Sequence, residues 1–115
     1  MKLSFSTLGC PRWSWAEITA VAHDLNYDGV EVRGVGKDIA VPSVPDFSDE
    51  NLPRTLAGLK RLALTLPCLD SDCCIHLPEN AERTAEEVRA YILLAEKMGV
   101  PYVRVMAAAP VPQPM

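Results

Sequence analysis

The 115 residues carry no excess of positive charge. Eleven Lys and Arg stand against fifteen Asp and Glu, for a net −4. That balance argues against a nucleic-acid partner, whose phosphates demand a basic patch or stripe. Long apolar runs are also missing. Charges or prolines interrupt every stretch before the roughly 18 residues a membrane span needs. The first five residues hold one lysine and too short an apolar stretch for a secretion signal,. A soluble, cytoplasmic protein without a membrane partner is the expectation. Glycine-rich phosphate loops are lacking too. Gly34-Val35-Gly36 has neither a third glycine nor a following helix start that would aim its dipole at a pyrophosphate,. No serine sits in a nucleophile-elbow pattern. The four cysteines, Cys10, Cys68, Cys73 and Cys74, do not form the paired C-x2-C spacing of zinc sites,. Without a secretion signal they read as reduced, structural thiols.

What is present is ordinary globular composition, 49% hydrophobic and 23% charged,. The length fits one small domain. Strand and helix signals alternate along it. Residues 3–8 are β-prone and stop at Gly9-Cys10-Pro11. Ser14-Trp15-Ala16-Glu17 is a capping box, in which serine hydroxyl and glutamate each serve the other's backbone N–H. Trp15, Ile18, Ala22 and Leu25 then share one helical face, and Asn26 suits a left-handed stop,. Residues 29–34 form a second strand bounded by glycines. Residues 35–47, with Pro42 and Pro45, make a loop long enough to suggest function.

Residues 48–51 supply caps for a second helix with Leu52, Leu56, Leu59 and Ala63 as its stripe. Pro53 belongs in its first turn, where the missing N–H matters least. Residues 64–70 are a third strand, weakened by Pro67. Asn80 or Thr84 opens the longest helix, with Val88, Tyr91, Ile92, Ala95 and Met98 on one stripe,. Gly99 and Pro101 end it, and residues 102–106 are a fourth strand. Residues 1–106 thus make the domain, and the Pro-rich residues 107–115 an extended tail.

The order β-α-β-α-β-α-β predicts parallel strands joined by three right-handed crossover helices. Strand starts near 3, 30, 66 and 102 give units of roughly 27 to 36 residues,. A closed eight-unit barrel takes roughly 250 residues. The expected fold is therefore α/β, a partial (half) TIM barrel of four parallel strands. A small open parallel sheet covered on both faces is the alternative.

Glu31 and Arg33 alternate with Val30 and Val32, so the charged pair takes one face and the valines the other,. Arg104 alternates with Val103 and Val105 in the same way. Strands two and four feed one lumen layer of a barrel, so Glu31 and Arg104 are expected to meet as an ion pair. His76 follows the third strand, where an imidazole can bind substrate or serve as a plain loop residue. Glu31, Arg33, His76 and Arg104 are the candidate substrate-binding residues. Asp70 and Asp72 are too few for a hard-cation site and read as loop-start residues. Ser6 and Thr7 are unremarkable strand hydroxyls, Trp13 is a loop tryptophan that packs or walls a pocket, and His23 is a surface histidine. No catalytic or metal-ligating residue is assigned.

The segments Phe5-Ser6-Thr7-Leu8-Gly9-Cys10-Pro11, Tyr27-Asp28-Gly29-Val30-Glu31-Val32-Arg33, Cys68-Leu69-Asp70-Ser71-Asp72-Cys73-Cys74-Ile75-His76 and Gly99-Val100-Pro101-Tyr102-Val103-Arg104-Val105 occur in a telling order. Together they resemble the N-terminal half of the sugar phosphate isomerase/epimerase family, the xylose isomerase-like TIM barrels. The resemblance implies a full-length enzyme that isomerises or epimerises a sugar, sugar phosphate or polyol ketone by metal-assisted proton transfer beside a carbonyl. The family's divalent metal (Mn, Mg, Zn or Co) and its acid/base carboxylates come from later strands. No metal is therefore expected in this chain, which reads as truncated and inactive alone. Two other roles stand beside this one. A half-barrel exposes sheet edges, so the chain would self-associate as a homodimer or dock to a C-terminal half. A weaker alternative is a fragment related to the apurinic endonucleases that share the barrel.

Overall fold

A computed structural model of the chain describes residues 2–74 and 81–106. His76, the Asn80 helix start and the tail at 107–115 lie outside the described residues. Four strands and three helices alternate: β1 (Ser4–Ser6), α1 (Trp15–Asp24), β2 (Gly29–Glu31), α2 (Leu52–Arg61), β3 (Cys68–Cys74), α3 (Ala81–Met98) and β4 (Tyr102–Met106). Short 3-10 turns follow β1 and break up the 35–47 connection at Val41–Ser43 and Pro45–Phe47.

Pairing is parallel throughout, β1 with β2 and β3 with β4. The strands nonetheless form two two-stranded sheets, not the single four-stranded sheet expected. Only isolated bridges, Gly29 to Thr65 and Val32 to Leu69, link β2 with the third-strand segment. Between these bridges β2 advances three residues while the opposite segment advances four. The surplus residue breaks the register, and Pro67 inside the gap has no N–H to donate. Four backbone hydrogen bonds still span the seam: Thr65 N to Asp28 O (3.0 Å), Val30 N to Thr65 O (3.0 Å), Val32 N to Cys68 O (3.2 Å) and Asp70 N to Val32 O (2.7 Å). The third strand accordingly begins at Cys68, four residues later than the apolar pattern suggests.

The helices form because their caps and stripes cooperate. Glu17 N donates to Ser14 Oγ at 3.2 Å and Ser14 N donates to Glu17 Oε1 at 3.1 Å, closing the expected box. Ser14→Ala is expected to destabilise the chain by about 1 kcal/mol, read as a lower urea midpoint with unchanged slope. Asn26 takes φ 60° and Gly99 φ 69°, the left-handed stops their types favour,. At the start of α2 the expected cap is altered. The Asn51 side chain donates to Pro45 O and accepts from Arg54 instead of capping the helix.

The core lies between the helices and one strand face. Ile18 and Ala22 of α1, Val30 and Val32, Leu59 of α2, Leu69 of β3, and Tyr91, Leu94 and Ala95 of α3 are buried together. The 35–47 connection joins them. Val41, Val44 and Phe47 are buried, Phe47 meets Trp15 edge-to-face at 4.9 Å, and the Val41 amide donates to the Tyr91 hydroxyl. Its length serves packing. Three stripe residues depart from expectation. Ala63 is exposed, in a left-handed turn at φ 56° after α2. Ile92 is 52% exposed because it lines an open apolar groove of about 430 Å³ with Val88, Val100, Val103 and Val105. Leu25 lines a second groove beside β1, with Phe5, Trp13 and Tyr27.

Candidate functional site

Strand alternation sends Val30, Val32 and Leu69 to the helices and turns the residues between them to the opposite face. Three neighbouring strands thereby bring polar groups together. Glu31 ends β2, Cys68 and Asp70 stand on β3, and Arg104 lies opposite Asp70 in the β3–β4 register. The donor atoms of Glu31, Cys68 and Asp70 all lie within 4.8 Å of one another. Asp70 is only 3% exposed.

Arg104 is the cation of this cluster. Its Nη1 is 4.0 Å from Asp70 Oδ2, and its Nη2 donates to the Ser71 carbonyl at 3.1 Å. The ion pair recorded for Arg104 is thus with Asp70, which lies between the two residues expected to meet. Glu31 faces the same charges at longer range. Its carboxyl is pushed up first by a hydrogen bond with Asp70, then by burial and by the Asp70 charge, against a smaller lowering from Arg104. Two carboxyl groups hydrogen-bond only when one keeps its proton. Burial, the hydrogen bond to Asp70 and the nearby charges push the Cys68 thiol up to about 11. Its sulfur donates to Asp70 Oδ1 at 3.4 Å.

Behind the cluster, Ser71 holds a β-bulge. Between its pairings with Arg104 and Met106, β3 advances from Asp70 to Cys74. The Ser71 hydroxyl donates to the Arg104 carbonyl at 2.6 Å and accepts from the Cys73 amide at 3.3 Å. These bonds fix the backbone from which Arg104 projects.

Arg33 is half-buried, and its amide donates to Thr7 Oγ1 at 2.8 Å, as does that of Gly34 at 3.2 Å. Thr7 thus ties the end of β2 to the turn after β1. Ser6 caps that turn through the Leu8 amide. His76 lies outside the described residues. Cys10, Cys68 and Cys73 are free thiols. Two of them, Cys10 and Cys73, are buried as structural thiols are, while Cys68 belongs to the polar cluster. Cys68 and Asp70 are absent from the four candidate residues, yet their two-residue spacing already puts them on one strand face.

No family model matches the chain, and none of the curated proteins matches it. Among solved structures it resembles the crystal structure of the probable 3-DHS dehydratase AsbF, involved in petrobactin synthesis, from Bacillus anthracis. The TM-score is 0.75 at 23% identity, over 93% of this chain and 38% of that protein. The chain is thus a partial α/β fold that matches part of a TIM-barrel protein. The chain spans about two fifths of its neighbour's length. In such barrels active sites lie at the C-terminal ends of the strands, the rim at which Glu31 ends β2.

Among the described residues, Glu31, Cys68 and Asp70 are the group whose donors converge, a candidate metal site of two carboxylates and one sulfur that the sequence analysis did not assign. Hard cations take six or more oxygen ligands, and zinc takes thiolate rather than thiol. In the metal-free chain Cys68 donates to Asp70 Oδ1 at 3.4 Å, and Arg104 Nη1 lies 4.0 Å from Asp70 Oδ2. No helix among the described residues is long and apolar enough to cross a membrane.

Proposed function

We propose that the chain supplies one wall of the pocket of a xylose isomerase-like barrel enzyme acting on a sugar, sugar phosphate or related polyol ketone. The observation that carries this reading is the convergence of Glu31, Asp70 and Arg104 from three adjacent parallel strands onto the face turned away from the helices. Within it, Arg104 offers guanidinium donors to a substrate oxygen and is held in place by Asp70 and the Ser71 carbonyl. Glu31 offers a carboxyl proton. Arg33 extends the same wall, and His76, outside the described residues, is the fourth substrate-binding candidate. The reaction is isomerisation or epimerisation through proton removal beside a carbonyl. Its acid/base groups, and any metal, come from barrel strands other than these four. The described residues alone then bind weakly and turn nothing over. The neighbour's name favours a second reading, dehydration, which also begins with that proton and then expels a hydroxyl as water. The barrel is completed by a C-terminal half or, in the isolated chain, by a second copy meeting the grooves beside β4 and β1.

Titration of the 115-residue protein with fructose 6-phosphate, followed by amide NMR, tests the reading. Saturable shifts at Glu31, Ser71 and Arg104 are expected in the millimolar range, about −4 kcal/mol of binding. Arg104→Ala is expected to weaken them roughly tenfold, the loss of one charge-assisted hydrogen bond. Absence of saturable shifts, or manganese-stimulated turnover of a ketose by the chain alone, overturns it.

A further inference from the structure

We propose that one proton shared between Glu31 and Asp70 clasps the seam between β2 and β3, and that the arc of strands loosens along this seam when the proton leaves to water. The inference concerns the stability of the arc and stands independently of the substrate reading.

The seam is the weak line of the molecule. β1 pairs with β2 in a continuous ladder, and β3 with β4 over Cys68–Asp70 before the bulge, but across the seam there are only the bridges at Gly29–Thr65 and Val32–Leu69. Pro67 and the surplus residue remove ladder hydrogen bonds between them. Glu31 lies within that interval, one residue before Val32. Its carboxyl lies within 4.8 Å of that of Asp70, which is 3% exposed on the opposite strand. A proton held between these two carboxyl groups spans the gap left by the broken ladder. This link exists only while the pair holds a proton, because two carboxylates at this separation repel.

The surroundings decide which way the clasp titrates. From β3, Asp70 and Cys68 face Glu31, and from β4, Arg104 acts on it. From β1, the residue in register with Glu31 is the uncharged Ser6. Arg33 lies two positions along the same strand. Asp70 raises the Glu31 carboxyl and Arg104 opposes that rise. The Glu31 carboxyl is held above its ordinary value in the closed seam and returns to that value when the seam opens. Closed-seam stability is therefore full below the ordinary glutamate range. It declines as pH rises and levels off above the raised value.

Hydrogen exchange of the full chain tests this. The reporters are the Val32 and Asp70 amides, whose bonds cross the seam, with amides inside α1 as reference. Relative protection at the reporters is expected to fall roughly tenfold per pH unit while Glu31 titrates, and to hold steady at α1. Glu31→Gln keeps a neutral donor facing Asp70 and is expected to hold protection level from the ordinary glutamate range upward. The proposal is overturned if wild-type protection stays level over that range, or if Glu31→Gln shows the same decline. A direct carbon-13 titration of the Glu31 carboxyl decides the matter even if the variant fails to fold. A midpoint at the ordinary glutamate value refutes the clasp, and a raised midpoint supports it.

Discussion

Alanine at Gly29 is expected to destabilise the chain by about 3 kcal/mol, a large part of the 5–15 kcal/mol typical of a domain. A Cβ there would stand 2.5 Å from the Thr65 carbonyl oxygen, 2.8 Å from Thr65 Oγ1 and 3.0 Å from Ser4 Oγ. The first contact is with backbone that cannot simply retreat. Thr65 O accepts from Val30 N and Thr65 N donates to Asp28 O, both at 3.0 Å. On its other side Gly29 pairs with Ser4 of β1. Relief therefore means parting the seam. Overpacking of this kind costs roughly 1–3 kcal/mol, and each lost hydrogen bond adds about 1 kcal/mol. Gly58→Ala is the matched control. Its Cβ meets nothing within 4 Å inside α2, so it is expected to stabilise by about 1 kcal/mol. Urea denaturation of the pair checks both signs. Equal midpoints would show that Gly29 is not pinched between its neighbours.

The alternation of strand and helix is legible in the sequence because local chemistry alone writes it. Ser14 and Glu17 are three apart, Asn26 and Gly99 accept left-handed backbone, and Val103 and Val105 flank Arg104. The β4 bounds follow from this pattern without tertiary information. The break between β2 and β3 is not legible. Pro67 announces a weakness, but a one-residue surplus across the seam depends on where two distant segments meet. Ala63 likewise holds a left-handed turn through its surroundings against its own preference. Ile92 carries the right period, yet burial also needs a neighbour on that side.

The site is half legible for the same reason. Period-two spacing places Glu31 and Arg104 on the polar face, and Cys68 with Asp70 on the other strand's equivalent face. It says nothing of relative height. The register that pairs Asp70 with Arg104 also inserts Asp70 between Glu31 and that arginine. The ion pair expected between Glu31 and Arg104 becomes a relay through a buried aspartate, and the shared proton follows from that displacement.

Leu69 occupies the other face of the same strand, and its truncation should be the most damaging core change. It is fully buried, its neighbours Cys68 and Asp70 point to the polar side, and its bridge to Val32 lies at the seam. Leu69→Ala removes three carbons from a position walled by strand and helix, where collapse is limited. Substitutions of this type cost about 2–5 kcal/mol, rising with the cavity that remains. A loss of about 3–4 kcal/mol is expected. Leu93→Ala, at an exposed position on α3, should change stability by no more than about 0.5 kcal/mol. The comparison separates packing from side-chain chemistry, since both remove the same atoms. If Leu69→Ala lowered stability by less than about 1 kcal/mol, the strand layer would not be packed against its helices. The polar cluster on the reverse of β3 would then lose the rigid support that holds Asp70 between Glu31 and Arg104.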